Sequence, residues 1–298
     1  MPCVSVGAQQ TVLFSMRKLS LPPLIIWPAA VFLAAFLVYP LLLTVAISFY
    51  DFTALGGMKP AFKWDNYQIL VTDPYYVEVL LGTLQISIIV TICCLVIGYP
   101  LALWMTRLDG AWKAVAMFCA LAPLMISVVI RSLGWIVILS DTGLINQLLM
   151  ASGITDQPVR LLYTEFAVIV GLTEALLPFM IISLLVSLQA IPRSLLQAAS
   201  ITGAGHWTVF SRILLPLSLP GIAAGSLLVF AIATSSFVTP RILSGGHVNM
   251  VANLVVDNFL VTLNWPFGAA VGILLLLVVL MVFLVQHWLT ERILGQYR

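Results

Sequence analysis

Two ionisable side chains, Arg131 and Glu174, interrupt apolar runs long enough to cross a bilayer. A charge at mid-bilayer costs ~2.5–3.5 kcal/mol, so such residues pair with each other or line a polar path. Glu174 falls eight residues after the start of its run at 166, about 12 Å in at the helical rise. Arg131 falls eight residues before the end of its run at 139, which gives a similar depth. They can therefore form an ion pair, or Glu174 can face a pathway and meet a cation. Asp141, Asp257, Asn264 and Trp265 lie beyond the ends of the runs, on the same side as Asp51, Asp65, Asp73, Glu78, Asp156 and Glu165. That side holds eight acidic residues against four basic ones. An acidic mouth raises the local concentration of cations, although sorting of basic residues to the opposite side leaves the same imbalance. Asp257 and Trp265 join Arg131 and Glu174 as candidate pathway residues.

Bond chemistry has no apparatus in this chain. There is no G-x-x-x-x-G-K-[ST], H-E-x-x-H or G-x-S-x-G pattern. His206, His247 and His287 are scattered, and Cys3, Cys93, Cys94 and Cys119 form no C-x-x-C pair, so no metal ligand set is expected. A net charge of +2 gives no footprint for nucleic acid.

The elements that must position these residues are membrane spans. Of 298 residues 62% are hydrophobic and 8% charged, against about 25% charged in a soluble domain. Mean hydropathy is +1.13. Six spans are expected: 24–49, 79–105, 114–139, 166–190, 217–243 and 267–289. The first run is too long for a signal peptide and lacks an A-x-A cleavage pattern. Residues 1–23 form a lead, 24–290 a six-helix domain and 291–298 a tail. A weak helical pattern through Leu144, Leu148 and Leu149 marks the segment between the third and fourth spans. Gly221-x-x-x-Gly225 and Gly268-x-x-x-Gly272 put small residues where helices pack closely, within the chain or against a second subunit.

Residues 192–222 stand apart as a polar interval between the fourth and fifth spans. Ser194 and Gln197 have capping-box spacing, which predicts a helix from Leu195. Gly203 supplies its stop. A second short helix is expected from Trp207, with Trp207, Phe210, Ile213 and Leu214 on one face, before Pro216 and Pro220 bend the chain into the next span. Two short helices joined at a glycine elbow make a docking element.

Gln197-Ala198-Ala199, then Gly203, Phe210, Ile213, Leu215-Pro216 and Pro220-Gly221 resemble the EAA loop of ABC importer permeases, over about 25 residues. The resemblance implies that Gln197, Ala198, Ala199, Gly203, Ala204, Trp207 and Phe210 form the cytoplasmic coupling helix that seats in an ATPase. Gln197 stands where the family usually has Glu, so a charged contact is not implied there. Further stretches resemble the spermidine/putrescine importer permeases, specifically the first of that group's two permeases: Gly98-Tyr-Pro-Leu-Ala102, Arg131 with Trp135, Gly143-Leu-Ile-Asn146, Leu177-Pro-Phe-Met180, Phe237-Val-Thr-Pro240 and Asn264-Trp-Pro-Phe-Gly268. The resemblance implies an all-α integral membrane protein of the type I importer permease fold. It implies a second permease subunit, two ATPase subunits and a periplasmic substrate-binding protein as partners, beside the lipid bilayer. It also implies a polyamine, an opine or another small solute as cargo. This chain would bind no cofactor; ATP and Mg would belong to the partner ATPase.

The basic residues orient the spans independently of that resemblance. Arg17, Lys18, Arg107, Lys113, Arg193, Arg212, Arg292 and Arg298 fall on one side, and Lys59, Lys63, Arg160 and Arg241 on the other. By the positive-inside rule the first side is cytoplasmic, with both termini and the docking loop; that the membrane is a bacterial inner membrane is what the resemblance implies. Two rivals differ in class. An ion-driven secondary transporter calls for several intramembrane carboxylates and no docking helix, but Glu174 is the one buried carboxylate in the spans. A membrane enzyme calls for a nucleophile–base spacing that the sequence lacks.

Overall fold

The computed structural model describes residues 27–28, 31–53, 56–201, 203 and 205–295. The expected lead 1–23, Cys3, Ala204 and Arg298 lie outside the described residues. Contacts divide the chain into two units, Met1–Thr44 and Val45–Arg298. In the first, helix α1 (Val31–Ile47) begins and includes a π-helical stretch at Ala34–Val38. The second unit holds the remaining elements.

A small antiparallel hairpin comes first: β1 (Asp51–Thr53) pairs with β2 (Gly57–Lys59), with Phe52 opposite Met58. Short helix α2 (Asp65–Thr72) leads to α3 (Pro74–Met105), which extends the expected second span by five residues at its start. The reason is local. Asp73 Oδ1 accepts a hydrogen bond from the Tyr75 N–H at 2.9 Å, and Pro74 occupies a first-turn position that needs no N–H.

The expected third span, 114–139, is broken. It consists of α4 (Gly110–Leu121), a 3-10 turn (Ala122–Met125), extended Ile126, and α5 (Val128–Leu139). Pro123 cannot donate to the Cys119 carbonyl, so the α-helical ladder loses a rung and the chain re-enters a helix only after Ser127. Helix α6 (Leu144–Ala151) realises the weak pattern in that loop. Helix α7 (Glu165–Gln189) matches the fourth span closely and is capped by Thr164.

The interval after α7 differs in detail from its expectation. Helix α8 runs Arg193–Ile201, so Ser194 sits inside its first turn rather than capping it. The next helix, α9 (His206–Ser235), is continuous from Trp207 into the membrane segment. Pro216 and Pro220 therefore do not separate a docking helix from the fifth span. A π-helical stretch at Phe210–Leu214 lets the Leu215 N–H reach back to the Phe210 carbonyl, and this widened turn immediately precedes Pro216. At its far end α9 stops at Ser235 rather than 243. Helix α10 (Val238–Leu243) is a new helix, with Pro240 in its first turn, where a missing N–H costs nothing. The connection expected to be merely polar contains α11 (Val251–Leu260). Last comes α12 (Trp265–Gly295), longer than 267–289 at both ends.

Among the described residues, five helical segments are long and apolar enough to cross a membrane, and Val31–Ile47, Gly110–Met125 and Val251–Leu260 are shorter apolar helices. The main core lies where α7 packs along α3 and α9, around Val90, Cys94, Met180, Leu184 and Val229. Two glycines allow the α7–α9 approach. A methyl group on Gly221 would collide with Ser187, and one on Gly225 would come within 2.8 Å of Met180 Sδ. Ser183 Oγ donates to the Gly221 carbonyl at 3.0 Å across the same seam. The first small-residue pair thus serves packing within the chain. In the second pair, a methyl group on Gly268 would come within 3.1 Å of Asn258 and Phe259 of α11, whereas one on Gly272 would meet nothing within 4 Å. A second core, with Leu70, Val79, Val251, Leu254, Phe267 and Val271, joins α2, α3, α11 and α12.

Candidate functional site

The described contacts sort the candidate residues to two ends of the bundle. Near the C-terminal ends of α3 and α7 lies the α8–α9 loop. At the other ends of those helices, Thr83 Oγ1 accepts from the Val251 N–H, and Leu243 packs against Gly171. Asp257 and Trp265 belong to this second end, through α11 and the start of α12.

In the loop, Gly203 adopts φ +70°, the left-handed conformation that stops a helix without a Cβ penalty. A methyl group there would meet nothing within 4 Å. Around the elbow the apolar side chains of Ile201 and Trp207 are 86% and 76% exposed, and Gln197 and Ala198 are exposed as well. Large apolar groups left open on a polar loop are what a docking surface requires. Ala199 is buried, so it braces α8 rather than presenting a face. Ala204 is the one residue of this set outside the described residues.

Phe210 does something other than extend the exposed surface. Its ring lies 5.5 Å from Trp207 and meets Tyr99 of α3 edge-on at 5.6 Å. The Tyr99 hydroxyl in turn lies 3.0 Å from Ser218 Oγ. A chain of rings and a hydroxyl pair therefore runs from the elbow into α3 and back to α9, with Phe210 at the start of the π-helical turn. Sequence reasoning quoted Tyr99 within a family stretch but had no signal linking it to Phe210, 111 positions away.

Arg131 and Glu174 do meet, with Nη1 and Oε1 3.6 Å apart, so α5 and α7 are joined by an ion pair. The contact is longer than a hydrogen bond. Arg131 Nε and Nη1 have no hydrogen-bond partner among the described residues. The guanidinium side chain is 11% exposed and the carboxylate side chain 30%, so Glu174 is the more accessible partner.

At the second end Asp257 is held by Arg241, Oδ1 to Nη1 at 2.6 Å. Trp265 is 48% exposed and tilts against Phe259 at 6.0 Å. In the hairpin, Lys63 Nζ donates to Asp51 Oδ2 at 2.7 Å, and this bond lowers the Asp51 pKa. Asp51 and Asp257 are therefore both engaged with basic partners, so the acidic excess at this end does not act as eight open carboxylates. Among the described residues no group of His, Cys, Asp and Glu is arranged to hold a metal.

Residues 95–295 match the family described as the binding-protein-dependent transport system inner membrane component. The chain belongs to this family. Its matched region takes in α7, the α8–α9 loop and α9 to α12, together with the Arg131–Glu174 pair. The spermidine/putrescine transport system permease protein PotB of Escherichia coli (strain K12) is 36% identical over 89% of this chain and 95% of its own length. PotB of Haemophilus influenzae (strain ATCC 51907 / DSM 11121 / KW20 / Rd) is 39% identical over 83% of this chain and 87% of its own length. A crystal structure of a bacterial alginate ABC transporter, in complex with an alginate pentasaccharide-bound periplasmic protein, contains a chain that superposes with a TM-score of 0.75 at 20% identity. That superposition covers 91% of this chain and 94% of the other, and it shows that the two chains share a fold. The all-α membrane architecture and the ABC importer permease assignment both stand. The family makes this chain a transport subunit, not an enzyme.

Proposed function

We propose that this chain is the first permease of a polyamine importer. It forms half of a translocation pathway with a second, different permease. A periplasmic binding protein delivers spermidine, putrescine or a related organic cation to the end of the bundle carrying α10 and α11. Two ATPase subunits, which hold the ATP and Mg, dock at the other end through the α8–α9 loop of each permease. Closure of the ATPases would move the loop as a unit, and the bundle would switch access from one face to the other. The termini and the loop are cytoplasmic in this reading.

The observation that carries the coupling role is the exposed pair Ile201 and Trp207 flanking a positive-φ glycine, in a chain of this family. For the cargo, support comes from the 36–39% identity to spermidine/putrescine permeases over most of the chain. Glu174, the accessible half of its ion pair, supplies a carboxylate to the path of the cation.

The test has two arms. The chain is co-expressed with the second permease and ATPase encoded beside it, purified without crosslinking, and checked for retained ATPase. The complex is then reconstituted in proteoliposomes with its binding protein, and ATP-dependent uptake of labelled spermidine and putrescine is measured. Retention with uptake is expected. Loss of the ATPase under mild conditions removes the coupling reading, and ATP-driven uptake of an opine but of neither polyamine removes the cargo reading alone.

A further inference from the structure

The short turn between α11 and α12 presents apolar side chains to the outside. Leu260 is 73% exposed, Val261 69% and Leu263 59%. Its polar groups are engaged within the turn itself. The Asp257 carbonyl accepts from the N–H groups of Val261 and Thr262, at 2.9 and 3.0 Å. Thr262 Oγ1 donates to the Asn258 carbonyl at 3.3 Å, and Asn264 Oδ1 accepts from the Phe267 N–H at 3.2 Å, which caps α12. Leu263 holds φ +56°, a left-handed conformation that strains a leucine and that glycine or asparagine adopts more readily. Such strain persists where the surroundings impose it, and it marks a residue kept for something other than the turn. What leucine adds at this position is apolar surface in the open.

The helix that follows gives the depth of this turn. No Asp, Glu, Lys or Arg occurs between Asp257 and Glu291, and α12 carries exposed tryptophans near both ends, Trp265 and Trp288. They are 23 residues apart, about 35 Å along a helix, against ~30 Å for the hydrocarbon core of a bilayer. Tryptophan concentrates at the two boundaries of a membrane. At the far boundary the Arg292 guanidinium lies over the Trp288 ring, 3.8 Å from its centroid, as suits the headgroup level. Trp265 then falls at the near boundary, and the exposed residues of the turn precede it by five positions or fewer.

We infer that the α11–α12 turn is a wedge seated in the membrane, and that its partner is lipid. Leu260, Val261 and Leu263 enter the boundary between headgroups and acyl chains, and removal of their apolar surface from water drives the seating. Lipid requires neither charge nor directional hydrogen bonds, and this tip offers neither. The left-handed backbone at Leu263 turns one more apolar side chain into the bilayer. Seated there, the turn holds α11 and the start of α12 at a constant depth as the bundle switches access. The inference does not depend on the identity of the cargo.

The experiment attaches a nitroxide to Val261→Cys in an otherwise cysteine-free chain. The chain is assembled with its partner subunits in vesicles of phosphatidylethanolamine and phosphatidylglycerol. Collisions with oxygen, which concentrates in lipid, are compared with collisions with a water-soluble nickel chelate. Oxygen should exceed the chelate at least threefold at position 261, as at Leu284→Cys on the exposed face of α12. The exposed Asp156→Cys should show the reverse. If Val261→Cys does not assemble, Leu260→Cys reads the same turn. Leu263→Asp, at a φ that aspartate tolerates, should lower the oxygen excess at 261 at least threefold. Leu263→Asn should leave the thermal midpoint of the detergent-purified complex unchanged or raise it, because the strain is relieved. An excess of chelate collisions at 261 overturns the wedge, and protection of that position by added binding protein assigns the turn to docking instead. Access by neither reagent means a protein neighbour and also overturns it, as does a ratio unmoved by Leu263→Asp. A lower midpoint in Leu263→Asn makes the leucine a packing residue and removes its lipid role.

Discussion

At the scale of single residues, the Arg131–Glu174 contact sets two roles against each other. Breaking a buried pair by removing one partner costs ~3–5 kcal/mol, less where one partner is reached by solvent, as Glu174 is. If Glu174 only holds α5 to α7, then Glu174→Gln strands Arg131, and a second change, Arg131→Gln, repairs the damage. If it also serves a cation path, uptake falls several-fold with expression near normal and the double variant does not recover. Uptake by proteoliposomes of the wild type, both singles and the double measures this, and full recovery in the double removes the pathway role. Gly203 gives a second prediction at this scale. At φ +70° an alanine costs ~1 kcal/mol of backbone strain but meets no neighbour. Gly203→Ala should therefore be mild. Gly203→Asp adds a charged group on the docking elbow, and it should abolish uptake and weaken ATPase retention while membrane insertion survives. Wild-type uptake by Gly203→Asp would take the elbow out of the coupling mechanism.

Elements explain how movement at the elbow could reach the bundle. Because α9 runs unbroken from His206 to Ser235, the proposed docking segment and the membrane helix would move as one lever rather than as two parts joined by a bend. Phe210 ties this lever to α3 through Tyr99, at the π-helical turn where the helix is widest. Phe210→Ala should leave ATPase retention intact, since the exposed Ile201 and Trp207 remain, but reduce uptake per ATP hydrolysed by about tenfold. Parallel assays of ATP turnover and uptake read that ratio, and an unchanged ratio means that the ring contact is passive. The seam of α7 and α9 sets the stability of the same region. Gly221→Val would drive its side chain into Ser187 and displace the Ser183–Gly221 hydrogen bond. Overpacking of this kind costs ~1–3 kcal/mol, so the thermal midpoint of the purified complex should drop by several degrees. A midpoint equal to wild type would show that the helices part easily there.

For the whole molecule, the two ends of the bundle must face opposite sides of the membrane. A cysteine in place of Trp207 should be labelled by an impermeant reagent only after the cell membrane is permeabilised. Cysteines in place of Asp156 or Asn249 should be labelled in intact cells. The reverse pattern would invert the orientation that the basic residues imply. With that orientation, α10 and α11 lie at the receiving end of the proposed importer, and the exposed elbow faces its proposed ATPases.

Composition and apolar run length determined most of the architecture in advance, because a bilayer demands long helices and penalises charge. The same physics put Arg131 and Glu174 at matching depths, where an ion pair was one of two readings, and marked Gly203 as a left-handed stop. The loop carried a family pattern dense enough to be read without coordinates. Where each helix breaks was decided by the tertiary structure, since a proline ends, begins or merely bends a helix according to what replaces its missing hydrogen bond. Pro123 removes a rung and ends a helix, Pro216 is absorbed by a π-helical turn, and Pro240 sits in the first turn of a new helix. Long-range contacts were equally invisible in one dimension. Tyr99 with Phe210 and Ser218, and Asn253 with Phe237, are set by helices packing across the bundle rather than by spacing along the chain. Periodicity shows which face of a helix is apolar, but only packing determines which buried polar atom is left without a partner.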